Sequence, residues 1–258
     1  MRRSCPISVT PNSARQRLDI ELVDRGLVVS RARARDLVLR GEVTVDGVRV
    51  GKPALMVGRD AVIELAPGAG AYVSRGALKL AAGLDGFHID VTGRVGLDIG
   101  AAQGGFTEVL LARGAIKVYA VDNGRGQLAP VLRADARVVS LEDTDARTLS
   151  TTHIDDAIGV LVVDVSFISA LKVLPAVLAF AAPGAALVVL VKPQFETEPG
   201  HVGKDGVVRD AAVRAGAVSA VSTWIAARPG WRVLGSLPSP IEGGSGNIEF
   251  LVGAVHDD

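Results

Sequence analysis

Four charged side chains stand in otherwise apolar stretches, where a charge is costly unless something pairs with it. Lys192 ends the run LVVLV (187–191), and Pro193 follows at once. Asp164 ends LVV in LVVDVSFIS, Lys79 lies in YVSRGALKLAAGL, and Glu249 lies in GGSGNIEFLV. In a strand over 247–252, Glu249 would face away from its neighbours Ile248 and Phe250. Two amines and two acids of this kind can be ion pairs that cap buried strands. They can also be a constellation of charges around a ligand. In an open α/β sheet ligands sit beyond the carboxyl ends of the strands, so Asp164 and Lys192 would then reach the same crevice.

A second pattern bears on which ligand that crevice takes. In VGLDIGAAQGGFTEVLLARGA (95–115) a strand ends on Asp98-Ile99, a loop carries Gly100, Gly104 and Gly105, and a helix begins near Phe106. Glycines let a backbone approach a ligand closely, and a helix N-terminus presents free N–H groups. The spacing is not the G-x-G-x-x-G of dinucleotide enzymes, so no pyrophosphate is indicated. Asp122, in YAVDNG, suits ribose hydroxyls, and Asp145, in EDTDAR, suits an adenine amino group. A nucleoside cofactor without pyrophosphate fits, and S-adenosylmethionine is the one the pattern suggests. On the loop alone, NAD or a purely structural glycine turn stays open.

The elements that must position these residues follow from periodicity and breakers. RLDIELVDRG (17–26) and SRARARDLVLRG (30–41) each suit a short helix; Gly26 and Gly41 are the stops, and Ser30 is the N-cap of the second. EVTVDGVRV (42–50) alternates around Asp46-Gly47, a two-residue hairpin turn. APGAGA (66–71) has the composition of a linker. Beyond it strands alternate with helices, the signature of a parallel sheet covered on both faces. Expected strands are 95–99, 117–121, 137–140, 159–164, 185–191, 231–237 and 247–252, with a long helix near 211–227. The expected division is a flexible N-terminus (1–14), a small module (15–65), a linker (66–73) and a larger α/β domain (74–258).

Overall charge is balanced, with 28 basic and 28 acidic residues. Residues 1–65 nevertheless hold 12 basic and 8 acidic side chains, an asymmetry that suits an anionic polymer at that end. The single cysteine, Cys5, allows no disulfide framework and fits a reducing cytoplasm. The four histidines are scattered without metal-ligand spacing, so no metal is expected. Val173–Val191 runs 19 residues without a charge, but Pro183-Gly184 is expected to divide it into a helix and a strand.

Residues 17 to about 254 resemble the TlyA family, also called haemolysin A-like: ribosomal-RNA 2′-O-ribose methyltransferases with an S-four-type RNA-binding domain and an FtsJ-like domain. The resemblance rests on RLDIELVDRGLVVSRARA, VDGVRVGKP, YVSRGALKL, LDIGAAQGGFTEVLLARGA, DVSFIS, LVKPQFE and SGNIEF. The chain departs from the usual pattern at Ala102-Gln103, where the family has small hydroxyl residues, and at Ala77, where it has glycine. The resemblance implies a Rossmann-like class I methyltransferase domain with a seven-stranded, mostly parallel sheet, preceded by a small α+β RNA-binding domain. It implies S-adenosylmethionine as cofactor, held by Asp98, Gly100, Ala101, Gly104, Gly105, Phe106, Asp122, Asp145 and Asp164. The family's Lys-Asp-Lys-Glu tetrad falls on Lys79, Asp164, Lys192 and Glu249. Free lysine is a cation at neutral pH; a second ammonium nearby and partial burial favour its neutral form, while carboxylates oppose that shift and fix the geometry. Lys192 is thus expected to accept the ribose hydroxyl proton with help from Lys79, while the two acids orient the amines and Asp164 lies nearest the methyl donor.

The implied partner is ribosomal RNA within ribosomal subunits, with a cytidine of the large subunit as target. Arg17, Arg25, Arg31, Arg33, Arg35, Arg40 and Lys52 are the expected RNA contacts, gripping phosphates rather than stacking bases, because no Phe, Tyr or Trp precedes Tyr72. The rivals are a membrane-active haemolysin, a non-catalytic RNA-binding protein on a methyltransferase fold, and a methyltransferase of proteins or small molecules.

Overall fold

The computed structural model describes residues 15–28, 30–66, 69 and 72–257. Residues 1–14 with Cys5, and positions 67, 68, 70 and 71 of the expected linker, lie outside the described residues. The chain divides into two compact units, Met1–Ala71 and Tyr72–Asp258.

In the first unit β1 (Gln16–Arg17) leads into α1 (Leu18–Asp24), followed by α2 (Arg31–Leu39). The side chain of Ser30 accepts the Arg33 backbone N–H at 3.3 Å, capping α2 as its sequence predicts. A hairpin joins β2 (Val43–Val45) to β3 (Val48–Val50) through Asp46 (φ 51°) and Gly47 (φ 77°), the paired positive φ values of a two-residue turn. The short strand β4 (Met56–Val57) pairs with β1, and β5 (Ile63–Leu65) pairs with β2. Leu18, Leu22, Leu37, Val38, Val43 and Ile63 form the buried core of this unit.

The second unit is built on seven strands: β6 (Val95–Ile99), β7 (Lys117–Val121), β8 (Val138–Leu141), β9 (Ile158–Val163), β10 (Ala181–Val191), β11 (Trp231–Pro238) and β12 (Phe250–His256). They lie in the order β11-β12-β10-β9-β6-β7-β8. The pairings among β8, β7, β6, β9 and β10 are parallel, whereas β12 runs antiparallel to both of its neighbours. The helices are α3 (Gly76–Gly86), α4 (Gly105–Ala112), α5 (Pro130–Arg133), α6 (Leu174–Leu178), α7 (Pro193–Glu196) and α8 (Ala211–Ala226). Leu80 and Leu84 of α3 and Val109 and Leu110 of α4 pack on one sheet face; Leu174 and Val177 of α6 and Val221 and Ile225 of α8 pack on the other. This is the α/β architecture expected from the alternation of strands and helices.

Two expectations need correction. Pro183-Gly184 does not separate a helix from a strand; it lies inside β10, where the pairing with β9 shifts register between Ala181 and Ala186. Proline has no N–H to pair and Gly184 has φ 71°, so the dipeptide forms an irregularity near the exposed start of the strand. The last strand begins at Phe250 rather than 247, because Asn247 closes a turn by accepting the Gly243 N–H on its carbonyl at 2.9 Å. Glu249 therefore stands just before β12.

Candidate active site

The reversal of β12 is what gathers the charged residues. Parallel strands end at one edge of the sheet, and an antiparallel strand begins at that same edge. Val191 of β10 pairs with Phe250 of β12, so Lys192 and Glu249, the next residues outward, are neighbours at the rim. On the other side of β10, Val163 pairs with Val189 and with Ile99, which puts Asp164 and Gly100 at the same rim. Lys79 arrives from above on α3. That helix approaches the sheet closely because Gly83 has no side chain: a Cβ there would lie 3.2 Å from Val188 and 3.5 Å from Leu251.

Two ion pairs result. Lys79 Nζ donates to Glu249 Oε2 at 2.5 Å, with both side chains buried. Lys192 Nζ lies 2.6 Å from Asp164 Oδ1 and donates to Ser166 Oγ at 2.7 Å. Asp164 also lies close to the start of α3, the helix that carries Lys79: a Cβ on Gly76 would lie 3.9 Å from Asp164 Oδ2. Breaking a buried pair by removing one partner typically costs about 3–5 kcal/mol, which is why such charges travel in pairs.

Beside this rim is a cavity of about 530 Å³. Gly100, Asp122, Asp145 and Asp164 line it, with apolar walls from Val121, Ala146 and Ile168. Asp98, Ala101, Gly104, Gly105 and Phe106, the other residues expected to hold a cofactor, are buried. The glycines serve the chain's own packing. A Cβ on Gly105 would lie 2.1 Å from Ser74 Oγ, one on Gly104 would lie 2.3 Å from Leu132, and one on Gly100 would lie 2.2 Å from the Asp164 carbonyl. Gly100 and Gly104 also have φ values of 84° and 92°, which glycine adopts without strain.

The acids of the loop region differ sharply. Asp98 is fully buried; it accepts the Thr107 hydroxyl at 2.6 Å on Oδ2, and Oδ1 has no partner among the described residues. Burial foremost, with the charge of Asp164 adding to it, pushes its carboxyl up to about 7. Asp122 follows β7 and accepts the N–H groups of Ala102 (2.8 Å) and Gly124 (2.6 Å), so it orders two loops while facing the cavity. Asp145 is engaged by Arg147, whose guanidinium and backbone N–H hold its carboxyl down at about 2. An adenine amino group would meet an oxygen already paired. A cavity with apolar walls and acids at its rim fits the methyl donor's cationic, nucleoside-bearing chemistry, with Asp122 and Asp164 as the groups that would hold it.

Sequence reasoning missed three residues here. Ser166 supports Lys192. Glu196 accepts the Ser169 hydroxyl at 2.5 Å and the Ala170 N–H at 2.6 Å, tying the DVSFIS loop to α7. Phe167 lines the cavity, is 93% exposed and has φ 63°, an arrangement that costs of order 1–3 kcal/mol. The signal for all three was present in DVSFIS and LVKPQFE, but position alone does not say which side chain turns outward.

The basic residues of the first unit divide by task. Asp19 is fully buried and receives Arg17 at 2.9 Å and Arg31 at 3.1 Å, which hold its carboxyl at about 2. Arg25 pairs with Glu21 and donates to the carbonyls of Ala61 (2.7 Å) and Arg59 (3.0 Å). Arg33 and Arg40 pair with Asp36. Arg35 and Lys52 are exposed and make no ion pair among the described residues. The same holds for Arg49 and Arg59, which were not foreseen.

No group of three or more His, Cys, Asp or Glu side chains among the described residues could hold a metal ion. No helix among them is long and apolar enough to cross a membrane.

Comparison with known proteins agrees with this architecture. Residues 72–255 match the FtsJ-like methyltransferase family, and residues 16–63 match the S4 domain. The 16S/23S rRNA (cytidine-2′-O)-methyltransferase TlyA of Mycobacterium tuberculosis is 48% identical over 239 residues, covering 92% of this chain and 89% of that protein. Hemolysin A of Brachyspira hyodysenteriae is 41% identical over 237 residues, covering 91% of this chain and 98% of that protein. A solved structure named as a hemolysin from Streptococcus thermophilus is 36% identical, with a TM-score of 0.73, covering 96% of this chain and 90% of that one.

Proposed function

Because the chain belongs to the FtsJ-like methyltransferases and, within them, to the TlyA family, we propose that it methylates the 2′-hydroxyl of a cytidine ribose in large-subunit ribosomal RNA, with S-adenosylmethionine as donor. The observation that carries this is the meeting of Lys79–Glu249 and Lys192–Asp164 at one rim of the sheet, beside a cavity of nucleoside size.

S-adenosylmethionine, when bound, supplies a methyl group on a positively charged sulfur. The residues of the chain do the rest. Lys192 accepts the proton of the ribose hydroxyl as the oxygen takes up the methyl group, a contribution typically worth ~10²–10⁴ in rate. Asp164 keeps the amine at the rim. Glu249 holds Lys79 in place, and Lys79 supports the ribose oxygen. Phe167 offers an open aromatic face at the cavity edge, where a nucleobase can stack. The S4 domain supplies exposed cations for the phosphates of structured RNA.

The test is to incubate the chain with labelled methyl donor and separated ribosomal subunits, then map the modified nucleotide. Lys192→Ala should abolish transfer while donor binding, followed by calorimetry, stays near that of the natural chain. Turnover by that variant at the natural rate would remove Lys192 from the mechanism.

A further inference from the structure

The loop after β9 and the turn after β10 are joined at three points. Lys192 contacts Asp164 and Ser166; Phe195 stands against Phe167 with ring centroids 5.4 Å apart; and Glu196 holds Ser169 and Ala170. The two contacts of Lys192 differ in kind. Asp164 Oδ1 is 2.6 Å away but is not aligned as a hydrogen bond, so it supplies charge with little direction. Ser166 Oγ accepts a well-formed bond at 2.7 Å and is therefore the directional partner.

Direction matters for a base of this type. Paired with Asp164, Lys192 is an ammonium without a lone pair, so it must first release a proton to solvent; the neutral amine then has two N–H bonds and one lone pair, on a side chain with four rotatable torsions. Anchoring one N–H on a fixed acceptor restricts where the lone pair points. Building on the role given to Lys192 above, we propose that Ser166 is the positioning residue of that base. Its hydroxyl oxygen receives one N–H of Lys192, so that the lone pair is presented to the ribose hydroxyl. The proton passes from that oxygen to Nζ as the new O–CH₃ bond forms and the sulfur keeps the electron pair of the bond that breaks. Ser166 itself is held because Glu196 anchors the far end of its loop, across the residue at φ 63°.

Two measurements on the full chain test this. In ¹⁵N-lysine NMR the Lys192 Nζ signal is assigned by its loss in Lys192→Ala, and its hydrogen exchange with water is followed without donor or RNA. Ser166→Ala should lose the slow exchange of the natural chain, and Ser166→Thr should restore it. In steady-state methylation Ser166→Ala should lower kcat roughly 10- to 100-fold with KM for RNA little changed, and threonine should recover most of the rate. Unchanged exchange in Ser166→Ala, or a kcat at the natural level, overturns the assignment. Faster exchange in that variant, together with a natural chain that methylates no RNA, would instead remove the 2′-O-methylation reading and leave the orienting role of Ser166 standing.

Discussion

Asp98 is the residue whose behaviour sequence position predicted least. An aspartate at the end of a strand, before a glycine loop, is expected to meet a ligand; this one is fully buried beneath the loop, with Thr107 as its hydrogen-bond donor. Its carboxyl is raised to about 7, against roughly 3.9 in an unfolded chain. Below about pH 4 both states carry the proton and nothing is lost. Between pH 4 and 7 the unfolded chain releases the proton while the folded one keeps it, so stability falls as pH rises. Above pH 7 the penalty is complete. Asp98→Asn removes the titration and should retain the Thr107 bond. Its stability relative to the natural chain should therefore climb across pH 4–7 and then level off, as read by denaturant unfolding at a series of pH values. A difference that stays flat with pH would mean that Asp98 is not the buried acid described here. The four charges that form the pairs Lys79–Glu249 and Lys192–Asp164, by contrast, stood out at this scale. A lysine that ends an apolar strand has few uses, and two of the four charges could be assigned to strand ends without any structure.

At the scale of elements, the buried strands were the easiest to find. VGLDI and KVYAV are short, largely apolar runs followed by Gly100 and Asp122, and both occupy the expected residues, 95–99 and 117–121. The failures lay where local chemistry has two solutions. GGSGNIEF offers both a turn and a strand; the glycines form the turn, and Glu249 falls just outside β12. The loop glycines, read from the sequence as letting the backbone approach a ligand, also serve the chain's own packing: Ser74, Leu128, Leu132 and the Asp164 carbonyl occupy their empty side-chain positions. That packing has a measurable consequence. In Gly105→Ala the new methyl would lie 2.1 Å from Ser74 Oγ and 3.0 Å from the Ala77 backbone nitrogen. Crowding of this kind costs typically 1–3 kcal/mol, about what Gly105→Ala should lose in equilibrium unfolding. Adding Ser74→Ala removes the closer obstacle and should return part of the loss. If the two substitutions were simply additive, α4 and the segment before α3 would not be packed through Gly105.

On the scale of the whole molecule, charge is the property that sequence distributes but does not allocate. The basic character of the first unit was legible from its composition, yet seven basic residues were assigned to RNA without regard to the acids buried among them. Asp19 is fully buried and Glu21 nearly so, and neither is stable there without a cation. Arg17 and Arg31 answer the first and Arg25 the second, so these guanidinium groups help to hold the unit together. Arg35, Arg49, Lys52 and Arg59, exposed and without ion pairs among the described residues, are among those free to meet phosphate. The two groups should separate in a salt titration of RNA binding. Replacing Arg35, Arg49 or Lys52 by alanine should leave unfolding unchanged and flatten the dependence of log K on log salt by roughly 0.7–0.9 for each phosphate that the variant no longer neutralises. Arg25→Ala should instead lower stability, because it strips Glu21 of its partner and leaves the carbonyls of Ala61 and Arg59 without their donor. If Arg25→Ala changed the salt slope while sparing stability, the division between cations that hold the fold and cations that hold the RNA would be the reverse of the one drawn from these contacts.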